Sequence, residues 1–237
     1  MQFSAPIYAL KRRAKQMARE TDLALHQALD TVAQQEGHQS WAHLAASWSI
    51  DTPTQSVLSC LEPGDLCLIA ARPGHGKTRL GLDLVSKASR IGRTGFFFTL
   101  DYHERDVADH LHALGVDLRS PQDGPVIDTS DDVSADYLIR CLSGETAPTL
   151  TVVDYLQVLD QKRSNPSLQD QMTALHRFVA DTNGMCLVIS QIDRSFDLAG
   201  KDMPDITDIR LPNPLDLSVF SKVFFLHNGE FCYDVAA

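Results

Sequence analysis

No two cysteines of this chain stand at C-x-x-C spacing, and the five present, Cys60, Cys67, Cys141, Cys186 and Cys232, are scattered and odd in number. That spacing suggests neither a cysteine-built zinc site nor a disulfide framework, and reduced, buried thiols are the expectation. No run of eighteen apolar residues occurs, and the opening MQFSAPIYALKRRAKQ lacks the apolar centre of a signal peptide. The expectation is a soluble, cytoplasmic protein with no membrane partner. Low-complexity tracts and solenoid-length repeats are missing as well, while 43% hydrophobic and 22% charged residues are ordinary for a globular chain. A basic excess is also lacking. The net charge is −10, and the first fifty residues hold five Lys/Arg and four Asp/Glu against sixteen and twenty-seven in the rest. Phosphate backbones are gripped mainly by clustered cations, so this balance speaks against unaided, nonspecific DNA binding.

The chain divides into two parts, residues 1–50 and residues 51–237. The first reads as a small all-α module. Ile7, Leu10, Ala14 and Met17 fall at helical spacing, Leu23, Leu25, Ala28, Leu29 and Val32 repeat the pattern before Gly37, and Ser40 can cap a short third helix, WAHLAASW. A polar stretch, SIDTPTQS, separates it from the second part. From Leu61, short β-rich runs (LCLIA, GFFFTL, PVIDT, TLTVVDYLQVL, MCLVIS) alternate with helical segments. Several runs are apolar on both faces, as parallel strands covered by helices must be. The fold class is therefore α/β, a wound and mostly parallel sheet. At the end, VFFLHNGEFCYDV sets Asn-Gly between two strand-like runs, which predicts an antiparallel hairpin at one edge.

Residues Ala71 to Thr78 read A-R-P-G-H-G-K-T, which meets the phosphate-loop pattern G-x-x-x-x-G-K-[ST] except that Ala71 replaces the first glycine. A strand precedes the loop and a helix comes after it, so backbone N–H groups and the positive helix end can surround a phosphate. The candidate nucleotide-binding residues are Arg72, Pro73, Gly74, His75, Gly76, Lys77, Thr78 and Arg79, with ATP as the cofactor. Gly74 and Gly76 allow a close bend, Lys77 supplies positive charge, and the Thr78 hydroxyl suits a Mg²⁺ ligand. Asp154 ends the run TLTVVD and is the matching candidate near Mg²⁺, its contact expected through water. Asp101, just after the FFFTL run, is the candidate base for hydrolysis and competes with a reading as cap of the next helix. Gln191 ends MCLVISQ at the same edge, placed to sense a γ-phosphate. The nine histidines suggest no metal site: His110 and His112 diverge on a helix, and His75 reads as a loop residue.

Together these segments resemble the C-terminal ATPase domain of DnaB-type replicative helicases, within the RecA-like group. The resemblance is carried by LEPGDLCLIAARPGHGKT, including the alanine at the first motif position, and by FFFTLD, TVVDYLQVL and LVISQIDRSFD, in order from about residue 50 to 228. It implies a RecA-like twisted sheet flanked by helices and a Mg²⁺-dependent ATPase. It also brings the departures into view. Asp101 stands where the family usually has Glu, the basic hairpin that supplies a finger to a neighbouring subunit has no Lys or Arg counterpart in FFLHNGEFCYDVAA, and the helical module takes the place of the family's collar. Loss of a finger can cost about 10³ to 10⁵ in rate, so turnover is expected to be slow unless Arg194, Arg210, Lys222 or a partner substitutes. Family DNA contacts come from channel loops, which makes Lys162 and Arg163 in LDQKRSNPS the candidates for single-stranded DNA. The helical face carrying Lys11, Arg12, Lys15 and Arg19 is either another phosphate contact or a docking surface for the acidic domain. The leading reading is an ATP-binding, Mg²⁺-dependent ATPase that works in DNA metabolism with a protein partner or by self-association, rather than as an autonomous helicase. The alternative is a nucleotide-gated binding protein whose hydrolysis is incidental.

Overall fold

Apolar runs with two covered faces can be satisfied only by a sheet with helices on both sides, and that is what the computed structural model contains. It describes residues 7–21, 23–47, 53–116, 124–160, 165–211, 213–228 and 230–235. After three helices, α1 (Ile7–Thr21), α2 (Leu25–Gln35) and α3 (Trp41–Ser47), comes α4 (Pro53–Cys60), and then β1 (Leu66–Ala71) opens the sheet. Helix α5 (Lys77–Ser86) leads to β2 (Thr94–Thr99), α6 (Glu104–Ala113) to β3 (Val126–Asp128), and α7 (Ala135–Leu142) to β4 (Thr149–Asp154). Helix α8 (Leu168–Thr182) then leads to β5 (Met185–Gln191), and α9 (Ser195–Ala199) precedes the pair β6 (Lys222–His227) and β7 (Glu230–Val235).

The seven strands lie in the order β3-β2-β4-β5-β1-β6-β7. All neighbours run parallel except the β6–β7 pair. That pair is the hairpin expected from Asn-Gly: His227 faces Glu230, and Asn228 takes the left-handed turn at φ 49°. The wound α/β reading thus holds.

Side chains alternate across the sheet with period two, which splits its apolar residues between two cores. Leu66, Leu68, Ala70, Val153 and Val188 face one core, filled by Leu138 of α7 and Met172 and Leu175 of α8. Cys67, Ile69, Ala71, Val152 and Ile189 face the other, filled by Leu80, Leu82 and Leu84 of α5 and Val107 and Leu111 of α6. Cys67 and Cys186 are buried in strands, and burial pushes both thiols far up, Cys186 to about 12, so neither is reactive. Helices α1 to α3 gather their own apolar cluster around Leu10, Ala14, Ala28, Val32, Ala33 and Leu44.

One expectation needs correction. The polar stretch after the first fifty residues is helical in its second half, because Pro53 is pre-set for a first helical turn and Val57 and Leu61, four apart, both reach the core.

Gly81 sets how close α5 lies to the sheet. A Cβ there would stand 2.9 Å from Val152 Cγ1, 3.1 Å from Ile189 Cδ1 and 3.2 Å from Phe97 Cε2. Gly81→Val is therefore expected to lower unfolding free energy by about 1–3 kcal/mol through overpacking, measurable by denaturant titration. Unchanged stability would mean that α5 can lift without penalty.

Candidate functional site

Four parallel strands deliver their C-terminal ends to one edge of the sheet. Ala71 pairs with Gln191, and Thr99 pairs with Asp154, so the residues just past β1, β2, β4 and β5 converge there. The edge is where open α/β sheets gather ligands.

The chain leaves β1 at Ala71 and enters α5 at Lys77 through a loop with two left-handed residues, Gly74 at φ 82° and Gly76 at φ 84°. No atom lies within 4 Å of where a Cβ would stand on either glycine, so the loop faces open space rather than packed protein. A side chain at either position would meet backbone strain and occupy that concavity. Gly76 directly precedes the first turn of α5, whose N–H groups have no partners within the helix. Lys77 and Thr78, in that turn, are half-buried; Arg79 is exposed.

Thr78 Oγ1 donates a 2.7 Å hydrogen bond to Oδ2 of Asp154. The candidate metal residues of the sequence, 76 positions apart, are thus in contact. Asp154 is buried, and burial pushes its carboxyl up to about 6; the Thr78 bond and Lys77 oppose the shift, while Asp101 adds to it. Asp101 lies two residues past β2, with its N–H donating to Thr99 Oγ1 at 3.2 Å. The protein around it raises its carboxyl pKa and Lys77 lowers it, so the cation stands between the two carboxylates electrostatically. Asp101 is not the cap of α6. His103 occupies that position, its N–H bonded to Asp106 at 3.2 Å. Tyr155 feels both carboxylates, which, after burial, raise its phenol pKa, with Arg210 opposing.

Gln191 ends β5, and its carbonyl accepts from the Arg210 N–H at 2.8 Å. The Arg210 carbonyl in turn accepts from Gln157 Nε2 at 2.8 Å, which fixes the backbone at Arg210 across the end of the sheet. Lys222 cannot serve this site within the chain. It begins β6 opposite Cys67, at the other end of the sheet, and is paired there with Asp65 at 2.6 Å. Lys162 and Arg163 lie outside the described residues.

Two sets of contacts were not visible as motifs. Arg72, at the start of the loop, forms a bidentate pair with Asp197 of α9 (3.2 and 2.7 Å) and donates to the Ile192 carbonyl at 3.1 Å. His75 Nδ1 accepts from the Asn228 N–H at 3.1 Å, and its ring stacks on His227 at 4.8 Å. His227 also meets Phe196 of α9 edge-on at 5.0 Å. The partners are 125 and 153 positions apart, so nothing local announces them. Among the described residues no cluster of three or more His, Cys, Asp or Glu could hold a metal.

A hydroxyl and a carboxylate in contact beside a helix N-terminus form an oxygen donor pair of the kind Mg²⁺ prefers, and the two open glycines leave room for phosphate oxygens. The residues present therefore fit a Mg²⁺-nucleotide.

Comparison with known proteins places the fold. No family model matches the chain. A replicative DNA helicase DnaB from Leifsonia xyli subsp. xyli (strain CTCB07) is 23% identical over 190 residues, spanning 67% of this chain and 42% of that protein. The chain therefore corresponds to about two fifths of the length of that relative. Among solved structures, an isolated ATPase domain superposes with a TM-score of 0.57 at 17% identity, covering 86% of this chain and 84% of that one. A DnaB-like replicative helicase, described with its interactions with primase, gives 0.57 at 15% identity over 92% of this chain and 66% of that one. A KaiC-like protein from the hyperthermophilic Pyrococcus horikoshii OT3 gives 0.52 at 17% identity over 68% and 70%. The chain has the fold of the DnaB-type, RecA-like ATPase domains.

Proposed function

We propose that this protein binds Mg²⁺-ATP in the loop from Arg72 to Arg79 and hydrolyses it, acting in DNA metabolism with partners. The observation that carries the reading is the Thr78–Asp154 hydrogen bond, which joins the phosphate loop to the strand-end carboxylate. Any loop rich in glycine can precede a helix, but only this pairing creates a divalent cation site next to it.

The roles derive from placement. The loop backbone and the first turn of α5 present N–H groups toward phosphate, and Lys77 adds a full positive charge between Asp101 and Asp154. Thr78 and Asp154 hold Mg²⁺, which supplies neutralisation of charge on the β- and γ-phosphate oxygens. Asp101 orients a water for in-line attack and accepts its proton. Its raised carboxyl pKa moves it toward the proton affinity that a base needs near neutrality. Gln191, at the end of the strand between β1 and β4, contacts the γ-phosphate side of the site.

Asp101→Asn is expected to cut turnover by about 10²–10⁴-fold while leaving ATP affinity nearly unchanged. Turnover equal to that of the wild type would remove Asp101 from the mechanism. Single-stranded DNA is proposed as a partner because the DnaB relative is a replicative DNA helicase, while the charge of −10 favours help from a second protein. Single-turnover hydrolysis with and without single-stranded DNA tests that part, and a rate indifferent to DNA argues for the nucleotide-gated binding reading.

A further inference from the structure

Helix α1 carries an apolar stripe and a basic face, and the two have different partners. Leu10, Ala14 and Met17 turn toward α2 and α3. The basic face turns toward the acidic sheet domain: Lys11 is paired with Glu230 at the start of β7, and Lys15 with Asp202 after α9 at 2.9 Å. Asp202 has its carboxyl pKa lowered by the hydrogen bond from Lys15, and the fields of Lys15, Arg19 and Arg12 add to this. Between the two surfaces lies a cleft of ≈ 390 Å³, so α1 is held there by ion pairs rather than by close apolar packing.

The two segments that α1 grips are those that grip the phosphate loop. The β6–β7 turn holds His75 through the Asn228 N–H, two residues from Glu230. Helix α9 holds Arg72 through Asp197, five residues from Asp202. Each of these two α1 lysines is thus one short segment away from one end of the loop. A strut joined to both supports of a loop restricts the arrangements those supports can take.

We infer that α1 is a regulatory brace: its docking through Lys11 and Lys15 holds the β6–β7 turn and the α9 segment in the arrangement that keeps the phosphate loop ready for nucleotide. The inference rests on the reading of residues 72–79 as the nucleotide site. Coupling between two sites is reciprocal, so nucleotide binding must strengthen the docking of α1 by the same factor by which docking strengthens nucleotide binding. A partner that took α1 away would thereby release nucleotide.

The test compares the Mg²⁺-ATP dissociation constant of the wild type, the charge-reversed K11E/K15E and the swapped K11E/K15E/D202K/E230K, with limited proteolysis of α1 followed in parallel. Charge reversal is expected to expose α1 to protease and to weaken ATP binding about five-fold or more, and the swap is expected to restore both. Unchanged or tighter binding on reversal overturns the proposal, as does an α1 that stays protected or a swap that restores nothing. Failure of the wild type to bind ATP, or equal binding by Lys77→Ala, strikes instead at the nucleotide site on which the brace would act.

Discussion

Replacing Lys77 with alanine is expected to abolish measurable turnover and to weaken Mg²⁺-ATP binding by about 10²-fold or more, the scale seen when a preorganised charge-stabilising group is removed. Lys77 opens α5 immediately after the left-handed Gly76. Its charge acts on both Asp101 and Asp154, lowering the pKa of each against the effect of burial. In the variant the two carboxylates lose that common counter-charge and repel phosphate as well as each other. The carboxyl pKa values of Asp101 and Asp154, measured by NMR in the ligand-free protein, should both rise and give a second readout. Lys77→Arg should not rescue turnover fully, since a planar guanidinium replaces a compact ammonium in a loop shaped by two glycines. ATP affinity unaffected by the alanine would place the nucleotide elsewhere.

Asp154→Asn should make the ligand-free protein more stable and the site useless for metal. Burial pushes the Asp154 carboxyl up to about 6, above the value of about 4 expected in the unfolded chain. Between those values the folded protein keeps a proton that the unfolded chain has released, so stability falls as pH rises from about 4 through about 6. Above that window the whole cost of holding an ionised Asp154 is present, about 3 kcal/mol for a shift of this size. Asparagine removes the charge and retains an oxygen that can accept from Thr78. The expected outcome at about pH 7.5 is a gain on the order of 1–3 kcal/mol in unfolding free energy, a flatter stability profile between about pH 4 and 7, and loss of any Mg²⁺ enhancement of ATP binding. A less stable variant that kept its Mg²⁺ response would contradict the assignment. The opposed effects have one cause, a buried carboxylate kept for a cation at a cost in stability.

Legibility in the sequence depended on the range of the interactions. Runs such as Phe96-Phe97-Phe98 and Leu150 to Val153 announce two-sided burial, and Asn228-Gly229 announces the edge hairpin, because each depends on neighbours in the chain. The contact of Thr78 with Asp154 could be anticipated because each stands at a strand or helix end that the parallel topology forces to one edge. Pro53 misled, since a polar and proline-bearing stretch reads as linker until Val57 and Leu61 are seen in the core. Asp101 as a helix cap failed by two positions, for the chain turns again before α6 begins at Glu104. Lys222 remained a candidate only while its end of the sheet was unknown. The grips of Asp197 on Arg72 and of Asn228 on His75 join segments that no local pattern relates, and the docking of Lys11 and Lys15 is of the same kind. What supports the loop from outside was therefore hidden, while the loop itself was plain.

The central claim is that Gly74 to Thr78 and Asp154 make one Mg²⁺-nucleotide site. Calorimetric titration of ATP into the wild-type chain, in the presence and absence of Mg²⁺, tests it most directly. The account predicts saturable binding at one site per chain, tighter with Mg²⁺ than without it. No binding at millimolar ATP, or binding indifferent to Mg²⁺, would contradict it.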